Sequence, residues 1–186
     1  DRLVPEVLLK VYDSARCHLD PEQWLDWCLS VNDISDVEDA SETVWGKYLI
    51  SDLHRYLDLQ IQTMDRCAQL ACGAEQMEKP AALLCDTVAQ LRRLRGCCKW
   101  DDIILNMSID FGRLTFSKKC PDTELAERIK ACRDACKKGL ARKLRRFTDC
   151  SDQILQDIAA SAAAARGLIT LTRRFAEGYA KRKRGR

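Results

Sequence analysis

The stretch that decides the fold is PDTELAERIKACRDACKKGLARKLRRF, residues 121–147. Leu125, Ile129, Cys132, Cys136, Leu140, Leu144 and Phe147 recur at steps of three and four, the repeat of an α-helix that buries one side. The same rhythm runs on through Ser151, Ile154, Ile158, Ser161, Ala165 and Leu168, so about forty residues read as helix, with Gly139 and Thr148 to Ser151 as the places for a kink or break. Ala159 to Ala165 is almost all alanine, a strong helix former whose small side chains let another helix come close. A last short helix is expected over Leu168 to Tyr179.

Working outward, the rest of the chain gives helical signals too. Asp20-Pro21-Glu22-Gln23 opens a helix with a capping partner three residues on. From Ser41 the pattern Val44, Tyr48, Leu49, Leu53, Leu57, Ile61, Met64, Cys67 and Leu70 predicts one long helix stopped at Gly73, and Pro80 to Leu94 another, stopped at Gly96. Asn32 to Asp39 reads as an acidic connector. Asp101 is expected to cap a helix within Trp100 to Ser117, although Gly112 and the alternation Leu114-Phe116 leave a strand or irregular turn open there. The expected fold is all-α: a multi-helix bundle with two long amphipathic helices, arranged as two packed helical halves.

Charge divides the chain. The formal net charge is +3. Up to Leu91 there are 7 basic and 17 acidic residues, and from Arg92 onward 24 basic and 11 acidic. The expected organisation is an acidic half over 1–96, a basic half over 97–180 and a basic tail over 181–186. Projected at about 100° per residue, the helix after Pro121 puts Arg128, Lys138, Arg142, Arg145 and Arg146 opposite its apolar stripe, with Lys130, Arg133 and Lys137 on one flank. No acid falls between Ala135 and Phe147, whereas an ordinary solvated face mixes both signs. These cations, with Lys143, Arg173, Arg174, Lys181, Arg182, Lys183 and Arg184, form the expected nucleic-acid-binding set. They would grip phosphates with little preference for base sequence, since no base-reading motif accompanies them. The tail also fits a nuclear-import signal. Opposite charge on the two halves suits head-to-tail self-association, which gives rings or filaments. Trp24, Trp27 and Trp45 are candidate interface anchors.

Chemistry is thin. There is no Cys-x-x-Cys pair, no Gly-rich phosphate cradle and no Gly-x-Ser-x-Gly, and the only histidines are His18 and His54. No catalytic residue, metal, cofactor or small-molecule substrate is expected, and a Cys67–His54 nucleophile pair is discounted. The eleven cysteines fit a reducing compartment, with Cys132 and Cys136 as small buried hydrophobes and Cys97-Cys98, among cations, as thiols of lowered pKa. No run of about 18 apolar residues is present, so no membrane span is expected, and the first residues lack the pattern of a signal peptide.

The opening Arg2-Leu3-Val4-Pro5-Glu6-Val7-Leu8-Leu9-Lys10, the near-continuous helical patterning, the reduced cysteines and the basic stretch Lys137 to Arg146 together resemble the small all-helical RNA-silencing suppressors of closteroviruses, of the beet yellows virus type. The resemblance is a profile over the whole chain, without a motif matched residue by residue. It implies a viral RNA-binding protein without enzymatic activity, a homo-oligomeric ring that sequesters small or double-stranded RNA. The alternative is a helical adaptor whose basic face meets an acidic protein or a membrane surface.

Overall fold

The computed structural model describes residues 3–117 and 121–185. Among them there are seven α-helices, one short 3-10 turn and no strand, so the fold is all-α. Contacts divide the chain into two units, Asp1–Glu38 with Asp152–Arg186, and Asp39–Ser151.

The first unit holds α1 (Leu3–Arg16), α2 (Pro21–Ser30) and nearly all of α7 (Ser151–Arg184). Asp20 caps α2 as its sequence suggests, accepting from the Gln23 N–H at 3.0 Å. Ala15, Leu25 and Ile169 form the small core, flanked by Val11, Trp24, Cys28 and Leu29. Tyr12 meets Phe175 edge-on at 5.1 Å. Arg173 bonds Glu22 at 3.0 Å and Asp26 at 2.5 Å. The expected short terminal helix is corrected here. α7 runs unbroken for 34 residues, because Gly167 and Gly178 meet no neighbour that would bend it and the alanines before them favour helix. By length and composition α7 is also the one described helix apolar enough to cross a membrane. The sequence pattern hides this, because the alanine-rich middle raises hydropathy around Asp157 and Arg166 without forming an uninterrupted apolar run.

In the second unit α3 (Val44–Cys72) and α4 (Glu78–Arg95) form an antiparallel pair. Ile50, Leu53, Leu57, Met64, Cys67 and Ala71 line the buried side of α3, and Ala81, Leu84, Val88, Leu91 and Leu94 that of α4. A 3-10 turn over Ala40–Glu42 precedes α3. Thr43 locks the two together, its hydroxyl donating to the Ala40 carbonyl at 2.7 Å and accepting from the Gly46 N–H at 2.9 Å.

α5 spans Trp100–Asn106, and residues 107–117 are irregular. Asp101 is not the cap of α5; Lys99 holds that position, and the Asp101 carboxylate accepts from the Ser151 N–H at 2.8 Å. The irregular stretch is held by Gln90, whose side chain pairs with both the N–H and the C=O of Asp110. α6 (Thr123–Leu144) packs on α3. The helix expected from Pro121 breaks after Leu144, because Phe147 turns inward against Trp100 at 4.6 Å and the Trp100 indole donates to the Asp149 carbonyl at 2.9 Å. The Ser151 hydroxyl then accepts from the Ala40 N–H at 2.7 Å.

The ten described cysteines are free thiols. Burial, aided by Asp102, raises the Cys97 thiol rather than lowering it, which corrects the expectation from its basic neighbours.

Candidate nucleic-acid interface

α6 begins at Asp122, whose carboxylate accepts from the Leu125 N–H at 2.8 Å. Its buried side is Ala126, Ile129, Arg133, Cys136 and Leu140. The outer side exposes Arg128, Lys138, Arg142 and Arg145, while Lys130, Lys137 and Arg146 are exposed beside them. Among the described residues none of these seven cations makes an ion pair, and all seven are exposed to water. Arg142 and Lys143 in the last turn also complement the helix dipole.

The other members of the expected set sit differently. Arg133 is only 8% exposed and donates to the carbonyls of Phe111 at 2.7 Å and Gly112 at 2.5 Å. It anchors the irregular stretch to α6 and does not line a solvent flank. The signal was present in the sequence, since Arg133 follows Ile129 by four and projects within about 40° of it, on the apolar stripe. Lys143 bonds Asp52 of α3 at 2.6 Å, both side chains mostly buried. Arg173 is engaged by Glu22 and Asp26, and Arg174 and Lys181 to Arg184 are exposed on α7. These five and Arg173 belong to the first unit, the α6 cations to the second.

Tertiary packing adds residues that the α6 pattern could not reveal. Asp52 has Arg55 at 3.8 Å as well as Lys143, and Arg146 is close enough to act on its charge. The Lys143 hydrogen bond, followed by these other cations, holds the Asp52 carboxyl below its ordinary value despite burial. One acid therefore ties α3 to the cationic end of α6. Tyr56 lies beside it, donating to the Cys136 carbonyl at 3.1 Å, its phenol pushed up to about 12 by burial and by Cys136. Gly139 makes that approach possible, since a Cβ there would stand 2.1 Å from the Tyr56 hydroxyl oxygen.

Further along the same helix a hollow of about 380 Å³ is lined by Lys47, Ser51, His54, Arg55, Asp58 and Arg95. Arg95 bonds Asp58 at 2.7 Å. His54 donates from Nε2 to the Cys97 carbonyl at 2.9 Å and accepts from Arg95 at Nδ1 at 3.2 Å, the one neutral tautomer that satisfies both. Neither ring nitrogen reaches Cys67, which interacts instead with Cys132. No cluster of three potential metal ligands occurs among the described residues.

No family model matches the chain. Over its length it is similar to bacterial proteins named as subunits of an ATP-dependent helicase/nuclease. That of Acetivibrio thermocellus is 27% identical, the match covering 98% of this chain and 15% of the relative. That of Ruminiclostridium cellulolyticum is 25% identical over the same shares, and that of Clostridium novyi is 22% identical over 100% of this chain and 16% of the relative. The chain thus spans about 15% of the length of the curated relatives it matches.

These relatives overturn the closterovirus resemblance, and with it the viral silencing suppressor, the RNA partner and the self-assembled ring. They lend nothing to the adaptor alternative. Helical patterning, reduced cysteines and a basic stretch are properties that unrelated amphipathic helical proteins share, so a profile built on them does not discriminate. The non-enzymatic expectation is corrected as well, because the relatives are named as enzyme subunits. A stretch amounting to about 15% of an enzyme can lack every catalytic motif without bearing on the activity of the whole.

Proposed function

We propose that this chain is a helical segment of one subunit of an ATP-dependent helicase/nuclease, and that the outer face of α6 holds DNA by its phosphates. The observation that carries the reading is the row Arg128, Lys138, Arg142 and Arg145, exposed and, among the described residues, without an ion pair, on a helix whose opposite side is buried. Exposed cations along a rigid helix match a backbone of regularly spaced anions, and binding releases the counterions condensed on the duplex. Base sequence is not read, because phosphate contacts position a nucleic acid without specifying it. Lys130, Lys137 and Arg146 extend the face to either side. Arg133, Lys143 and Arg173 have structural partners and serve the scaffold.

The test is fluorescence anisotropy of a labelled DNA duplex at a series of salt concentrations. Affinity should fall linearly in log salt, alike for unrelated sequences. Replacing Arg142, Arg145 and Arg146 together by alanine should flatten the slope by roughly 2 to 3, at about 0.9 for each phosphate no longer neutralised. Failure to bind duplex at low salt, or an unaltered slope in the triple variant, refutes the interface.

A further inference from the structure

We propose that Cys67 of α3 and Cys132 of α6 form an oxidation site, where hydrogen peroxide closes a disulfide that fastens the two helices together. Three contacts set the register of the pair. Lys143 bonds Asp52 at 2.6 Å, Tyr56 donates to the Cys136 carbonyl at 3.1 Å and lies against Gly139, and Arg128 is close enough for its charge to act on Cys67. Position advances along α3 as it retreats along α6, so the helices run antiparallel, and Cys67 stands level with Arg128, one turn from Cys132. Each Cα–Cβ bond tilts toward the N-terminus of its own helix. In an antiparallel pair those tilts carry the two thiols toward each other, and they meet through a hydrogen bond. Cys136 is a poorer partner for Cys132. It lies one turn away on the same helix, where Cβ atoms stand about 5–6 Å apart, whereas a disulfide holds them at about 3.5–4.5 Å.

Exposure divides the chemistry between the two thiols. Cys67 is 8% exposed, and burial first, then Cys132, pushes its thiol up to about 11, so it stays protonated at neutral pH. Cys132 is half-buried and is the sulfur that a small peroxide reaches. Its thiolate attacks one peroxide oxygen and the O–O bond breaks. The other oxygen leaves as hydroxide and takes up the proton that Cys132 gave up, forming water, and Cys132 becomes a sulfenic acid. The Cys67 sulfur then attacks the sulfenyl sulfur, and the hydroxide it displaces takes the Cys67 proton as a second water. Two thiols and one hydrogen peroxide thus give one disulfide and two waters, each sulfur losing one electron and the peroxide gaining two. The bond closes a long loop and so restricts the unfolded chain, while Lys138, Arg142 and Arg145 stay exposed on the outer side of α6.

The test uses the 186-residue chain carrying Cys72→Ser and Cys85→Ser, both exposed positions, because trypsin leaves those two cysteines on one peptide with Cys67. Dilute reduced protein receives one equivalent of hydrogen peroxide, is blocked with N-ethylmaleimide in urea and is digested without reduction. Mass spectrometry should find the Cys67 peptide joined to residues 131–133, the peptide of Cys132, in most molecules. In Cys67→Ala protein dimedone should trap Cys132 as its sulfenic acid, and in Cys132→Ala protein Cys67 should stay open to N-ethylmaleimide. The urea midpoint should rise on oxidation and return with dithiothreitol, and in either single variant it should not move. Far-UV circular dichroism checks that each variant keeps its helix content, and the linkage in the parent background stands without them. A Cys67 thiol still free once the peroxide is consumed, Cys132 joined to a different cysteine, no dimedone adduct in a folded variant, or an unmoved midpoint in the linked protein overturns the site. Duplex binding by α6 takes no part in these readings, so this site and that interface fail separately.

Discussion

Replacing Gly46 by alanine sets local propensity against tertiary packing. Within a helix Gly→Ala ordinarily stabilises by about 1 kcal/mol, through backbone entropy and helix propensity. In α3 the added Cβ would stand 1.9 Å from the Ala40 carbonyl oxygen, 2.8 Å from its carbon and 3.0 Å from the Ser41 Cα. All three are backbone atoms. Restoring an ordinary 3.4 Å separation requires the carbonyl to retreat by about 1.5 Å. That carbonyl is held at 2.7 Å by Thr43, the Thr43 hydroxyl at 2.9 Å by the Gly46 N–H, and the Ala40 N–H at 2.7 Å by Ser151. Each buried bond contributes about 1 kcal/mol when made, and about 1–3 kcal/mol is forfeited when a partner is left unsatisfied. Disturbing these bonds outweighs the propensity gain, so a net destabilisation of about 3 kcal/mol is expected. Urea unfolding followed by far-UV circular dichroism measures it. Gly178→Ala, where nothing lies within 4 Å, should gain up to about 1 kcal/mol. A Gly46→Ala protein as stable as the parent refutes the packing of the 3-10 turn against α3.

Gly139→Ala should also destabilise, by about 1–2 kcal/mol, as the Tyr56 phenol is displaced from the Cys136 carbonyl; Tyr56→Phe should relieve part of it, as coupling in a double-mutant cycle. Asp52 is stabilised as a carboxylate by Lys143, so its folded pKa lies below the unfolded value. Its contribution is therefore full above the unfolded value near 3.9 and lost as pH falls through the folded one. Unfolding measured across that acid range should show a smaller loss of stability in Asp52→Asn than in the parent. Burial holds the Cys136 thiol up at about 11, and burial with Cys132 does the same for Cys67. Iodoacetamide at mildly alkaline pH should label the exposed Cys72, Cys85, Cys98 and Cys150 well before these two, read by peptide mass spectrometry; equal rates would contradict their burial.

Much of the helical layout was legible in local pattern. The cap at Asp20, the long helix stopped at Gly73, its partner stopped at Gly96 and the break near Thr148 all rest on neighbours within a few residues. The errors arose where distant residues intervened. Asp101 reads as a cap because an acid stands before an apolar run, but Ser151, fifty positions later, takes its carboxylate. Cys97 reads as an activated thiol because cations surround it in sequence, but burial and Asp102 govern it. The function was misread for another reason. The resemblance rested on composition and helicity, which carry little information about ancestry, whereas alignment to the helicase/nuclease proteins uses the order of residues along the whole chain.

By itself the sequence determined that the fold is all-α, which side of most helices is apolar, and that cations crowd the outer side of α6. Those properties follow from the helical repeat and from the hydrophobic effect acting on each segment separately. The tertiary structure decided which charges remain free. Arg133 turned inward because the carbonyls of Phe111 and Gly112 needed a donor, and Lys143 because Asp52 of α3 faced it. Burying a charge is unfavourable without a partner, and partners separated by twenty to ninety residues meet only once the helices have packed. The same packing brought Arg95 of α4 beside Lys47, Arg55 and Asp58 of α3 around one hollow, a meeting that the helical pattern of either segment alone does not show.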